Sequence, residues 1–156
     1  MLNRIKYILS YFLLVWFYFL IQKPIFMLCN ASKSYSVIDY MSVMWHGASL
    51  DATTTGYLTI VPFLLTIASV WYRHLKIRKI ITPYYIVVMF LISLIFIGDL
   101  SLFAFWESKL DASIFIYIDS PKNAMASVST GYIFGRALLI LGLTALMSGL
   151  LWLVTP

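Results

Sequence analysis

Residues 84–103 read YYIVVMFLISLIFIGDLSLF, a run of 20 positions with a single formal charge, Asp99. At 1.5 Å per residue, a helix of about that length covers the roughly 30 Å hydrocarbon core of a bilayer. The run is continuous and lacks the period-2 alternation of a barrel strand, so a closed β-barrel is excluded. Inside lipid a backbone must satisfy its own hydrogen bonds, and that leaves a helix. The span extends to about Trp106, with Ser93 and Asp99 as interruptions.

Working outward, three more runs qualify. The first spans Tyr7 to Cys29; Ser10 is weakly polar within its first half, and Gln22-Lys23-Pro24 interrupts the far end. The second runs from about Ala52 to Tyr72 and includes Thr59, Pro62, Thr66 and Ser69. The fourth runs from Gly131 to Val154 and carries one charge, Arg136. The fold expected is all-α: a single polytopic transmembrane domain over residues 1–156, with spans near 7–29, 52–72, 84–106 and 131–154. Two outer loops, near 30–51 and 107–130, are each expected to hold short interfacial helices.

Composition agrees. The chain is 62% hydrophobic and 11% charged, against about 45–50% and about 25% in soluble domains, and its mean hydropathy is +0.93. So few charges cannot coat a globule, which excludes a soluble enzyme, a disordered tail and a collagen-like rod. With Cys29 the single cysteine, no internal disulfide or cysteine-based zinc cage can form.

The net charge of +5 reports orientation. Arg4 and Lys6 precede the first span, and Arg73, Lys76, Arg78 and Lys79 fill the loop after the second. The acids Asp39, Asp51, Asp99, Glu107, Asp111 and Asp119 lie in or beside the other two loops, with Lys33, Lys109 and Lys122. The positive-inside rule then puts both termini in the cytoplasm. RHLKIRK (residues 73–79) is accordingly a stop between two spans, and no nucleic-acid partner is expected. The first span exceeds the 7–15 apolar residues of a signal-peptide core and is rich in Tyr, Phe and Trp, so it reads as a retained anchor. Asn30-Ala31-Ser32 matches a glycosylation sequon, a pattern short enough to arise by chance.

In the first outer loop Val37, Met41, Met44, Trp45 and Ala48 recur at three- and four-residue steps, predicting an interfacial helix with Trp45 at headgroup depth. His46 beside it reads as a polar-edge histidine. In the second, Glu107-Ser108-Lys109-Leu110-Asp111 is followed by the apolar run Ile114–Ile118, and Ser120-Pro121 predicts a helix start reaching about Ser127. Asp111 and Asp119 read as solvated carboxylates. No nucleophile motif, phosphate-cradling loop or metal-ligand cluster is present. Gly131, Gly135, Gly142 and Gly149 form a small-residue stripe along the fourth helix, a signal for close helix packing.

Two segments resemble a known family. One is Gly47-Ala48-Ser49-Leu50-Asp51 followed by Tyr57-Leu58 and Pro62. The other, more specific, is Asp99, Phe103, Trp106, Lys109-Leu110-Asp111, Tyr117, Ser120-Pro121-Lys122 and Ala126-Ser127. Together they cover roughly residues 40–130 and resemble the N-terminal membrane region of lipoteichoic acid synthase-like proteins, particularly Bacteroides-type versions. That family belongs to the alkaline phosphatase and sulfatase superfamily. Lys109 stands where it usually has arginine.

The resemblance implies a bacterial inner-membrane protein with a cytoplasmic N-terminus. In that family five spans carry an extracytoplasmic catalytic domain with a threonine nucleophile and a divalent metal, usually manganese, and its activity is phosphoglycerol transfer. The fifth span and the catalytic domain have no counterpart in these 156 residues. The chain is therefore expected to be the anchor part of such a protein, without catalytic residues or a cofactor of its own. Its expected partners are membrane lipids and either its own catalytic domain or another membrane helix. The alternative is a small, non-catalytic membrane scaffold. A transporter fits less well, since its spans would offer only Asp99 and Arg136 as charges for a central site. Reckoned from an inner edge of span three near Thr82 and an inner end of span four near Thr155, helix rise puts Asp99 about 25 Å and Arg136 about 28 Å away. At similar depths, the two are expected to form an ion pair.

Overall fold

The computed structural model describes residues 2–30, 35–72, 76–106 and 129–156. Four helices follow in order: α1 (Leu2–Cys29), α2 (Val37–Trp71), α3 (Ile77–Trp106) and α4 (Thr130–Val154), with no strand among the described residues. Each is long and apolar enough to cross a membrane. Their outward side chains are apolar too: Phe134 is 65% exposed, Leu153 67% and Phe17 56%. Surfaces of that kind belong against lipid. The chain is a multi-pass membrane protein.

The helices are longer than the apolar runs alone indicate. The interfacial helix expected before span two is not a separate element; it is the first part of α2. Ser36 caps that helix, with a capping box in which the Asp39 carboxylate accepts from the Ser36 backbone N–H at 2.8 Å. Nothing after the cap breaks the helix. Gly47 stays helical, and Asp51 is neutralised within the fold by Lys23 of α1. Its 35 residues reach about 52 Å, well beyond the hydrocarbon core. Likewise α1 continues through Gln22-Lys23-Pro24, and α3 starts ahead of Pro83. The expected helix near 120–127 and the remainder of the second outer loop lie outside the described residues.

Two compact units can be distinguished. The first comprises residues 1–86 and 148–156. In it α1 packs on α2. Tyr7, Tyr11, Val15 and Tyr18 form the buried stripe of α1, at steps of four, four and three. The buried residues of α2 are small or ring-closed: Thr55, Pro62, Thr66 and Ser69. Small residues let helix backbones approach closely. The threonine hydroxyls are satisfied within their own helix, Thr55 to the Asp51 carbonyl and Thr66 to the Pro62 carbonyl, both at 2.7 Å. Ile81 and Tyr85 of α3 and Leu151 of α4 are fully buried in the same unit.

The second unit comprises residues 87–147. Its buried face on α3 is Met89, Ser93, Phe96, Ile97 and Leu100, and on α4 Thr144 and Met147. The Thr144 hydroxyl bonds back to the Ile140 carbonyl at 2.7 Å.

Candidate functional site

The first unit carries its chemistry in three places. In its interior is a network built around a helix defect. Pro62 has no N–H to give the Leu58 carbonyl one turn earlier, and in lipid that oxygen needs another donor. Two tyrosines supply it: Tyr84 donates to the Leu58 carbonyl at 2.7 Å and Tyr11 at 3.3 Å. Alongside, the hydroxyls of Tyr7 and Tyr85 lie 2.5 Å apart, and that of Tyr85 is 3.0 Å from the Thr155 hydroxyl. The Tyr11 and Tyr85 rings stack with centroids 5.7 Å apart.

At one end, two arginines close helix C-termini. Arg4 donates to the Ser69 carbonyl in the last turn of α2 at 3.1 Å, and Arg78 donates to the Thr155 carbonyl just past α4. These carbonyls lie where a helix runs out of its own donors and its dipole is negative. The Arg78 guanidinium also stacks on Trp152, 4.4 Å from the ring centre. Around them opens a cleft of about 960 Å³, lined by Arg4, Lys76, Arg78, Lys79, Thr82 and Trp152 among others. Arg4 also heads a second, apolar groove of about 410 Å³ between α1 and α2.

At the other end, Lys23 of α1 pairs with Asp51 of α2, both side chains largely buried. Trp16 adds an indole N–H bond to the Ala48 carbonyl at 3.1 Å. A Cβ on Gly47 would overlap the Lys23 side chain. The glycine therefore clears the way for the lysine to reach the carboxylate.

Of the residues singled out from the sequence, Gly47 and Asp51 thus meet on Lys23, which had read only as an interruption of the first span. The usable signal was its charge, since a lysine inside a span calls for an acid at similar depth. Pro62 is the buried defect just described. Lys109, Asp111, Tyr117 and Pro121 lie outside the described residues. Asp99 and Arg136, expected to pair, are both half-buried in the second unit, and the Arg136 guanidinium rests 4.8 Å from the centre of the Tyr132 ring, one turn earlier on α4.

A Cβ at Gly131, Gly135, Gly142 or Gly149 would meet nothing within 4 Å among the described residues. His46 is exposed, with Nδ1 2.7 Å from the Ser42 carbonyl oxygen. No group of three His, Cys, Asp or Glu side chains stands together among the described residues.

The chain matches no protein-family model, no curated protein and no solved structure.

Proposed function

We propose that these residues form the membrane-anchor portion of a lipoteichoic acid synthase-like protein of the sulfatase superfamily, in the bacterial inner membrane with a cytoplasmic N-terminus. Phosphoglycerol transfer, and the manganese it uses, would belong to a catalytic domain outside these residues. The observation supporting this reading is the junction of Lys23, Gly47 and Asp51. It gives two positions of the family-like segment a shared task, holding α1 against α2 near the end where such a domain would emerge. The coding sequence beyond Pro156 tests the reading. An in-frame continuation or an adjoining frame encoding a sulfatase-like domain is expected; a stop codon with no such frame beside it overturns it.

A second reading, a non-catalytic scaffold, draws on the open glycine stripe of α4. Small residues facing open space suit another membrane helix. Isolation of a stable complex with an unrelated membrane protein from native membranes favours this reading over the first.

A further inference from the structure

We propose that the basic cleft and the apolar groove beside it form one binding site for an anionic glycerophospholipid, with the phosphate in the cleft and an acyl chain in the groove. Charge is the first ground. Arg4, Lys76, Arg78 and Lys79 all line the cleft, and no acidic side chain does among the described residues. Four cations so close together repel one another and favour an anion among them. A basic recess between helices at the membrane surface suits a phosphate headgroup.

The second ground is an unfilled donor. The Nε of Arg78 is buried and has no hydrogen-bond partner among the described residues. The rest of the guanidinium is fixed, by the Thr155 carbonyl on one side and the Trp152 ring beneath. A buried N–H on a positioned arginine lacks an acceptor oxygen, and a phosphate supplies oxygens that the planar guanidinium fork binds well.

The third ground selects a lipid over a free anion. Arg4 lines both cavities, and away from it the groove is walled by Ile8, Phe12, Phe63 and Ile67. Along α1 from Ile5 to Phe12 the groove extends about 10 Å. A free phosphate would leave that surface empty, whereas a glycerophospholipid fills cleft and groove together. The leaflet concerned is the one at the basic end, the cytoplasmic leaflet under the charge rule. The site depends on neither reading of the chain's function.

The test uses the full chain, delipidated in detergent, with bound lipid counted by native mass spectrometry. The probes are phosphatidylglycerol, phosphatidylcholine with the same acyl chains, and glycerol 3-phosphate as a headgroup without chains. Phosphatidylglycerol is expected to be retained at one copy in preference to the other two. Lys76→Gln with Lys79→Gln alters two exposed side chains and should weaken retention roughly thirtyfold, while the Lys-to-Arg pair retains it. Ile67→Trp, which fills the groove and leaves every cation in place, should also reduce retention. Circular dichroism confirms that each variant keeps its helices, and a variant that loses them is replaced by the single Lys79→Gln. Equal retention of the two lipids, or indifference to the lysine pair, overturns the proposal. Glycerol 3-phosphate binding as tightly as the lipid overturns it too, because the groove would then contribute nothing.

Discussion

Lys23 and Asp51 show how much one residue's environment decides. On an exposed helix this pair would contribute little. Here the side chains are 24% and 12% exposed, and loss of one partner strands the other charge. Asp51→Asn should therefore lower stability in detergent by about 1–3 kcal/mol. A double-mutant cycle with Lys23→Met should show coupling of at least about 0.5 kcal/mol; strictly additive losses would mean the contact contributes nothing. Gly47 offers a subtler check. Alanine is the better helix former by about 1 kcal/mol, but its Cβ needs the space of the lysine stem. Gly47→Ala should destabilise the native protein, and become neutral or stabilising once Asp51→Asn has released Lys23. A gain in both backgrounds would show that the lysine relocates without loss.

At the scale of the element, α2 is organised around Pro62, whose missing N–H is answered by hydroxyls from two other helices. Removing one hydroxyl, with Tyr84→Phe, should cost about 1 kcal/mol. Removing both, with Tyr11→Phe added, leaves the Leu58 carbonyl unanswered and should cost more than the two single losses combined. Pro62→Ala restores the intrahelical N–H. It should therefore recover stability in the double-phenylalanine background while giving little benefit in the parent, as read by thermal unfolding in detergent. If it rescues neither, the tyrosines serve packing alone. Hydropathy made the spans legible, because about 20 apolar residues in a row have few alternatives. It could not reveal which side of α1 faces inward, since nearly every position there is apolar and a tyrosine ring suits lipid and core alike. The ends were obscured for a related reason: capping and neutralisation carry helices through polar stretches, as Ser36, Asp39 and Lys23 do, and a hydropathy window sees only the polarity.

For the whole molecule, the charge rule gives an orientation that the native cysteine can report. Cys29 is exposed at the end of α1 away from Arg4. In cells with a permeabilised outer barrier it should react with a membrane-impermeant maleimide. In a Cys29→Ser background a cysteine introduced at Lys76 should stay unlabelled until the membrane is dissolved, and the opposite pattern would invert the topology. The architecture was legible in the sequence, but the juxtapositions that give the candidate site its character were not. Arg78 with Thr155, Tyr7 with Tyr85 and Arg4 with Ser69 join positions 65 to 78 residues apart, and hydropathy carries no information about such pairings. These same contacts set a schedule for biogenesis. The first helix leaves the ribosome with tyrosine hydroxyls whose acceptors have yet to be synthesised, and the carbonyl opposite Pro62 gains its Tyr84 donor only when the third helix follows. Thr155, just past the fourth helix, completes the hydroxyl chain and receives Arg78. Until then the early helices have only apolar transfer and the contacts of α1 with α2, and the protein locks its interior only as translation reaches the fourth helix.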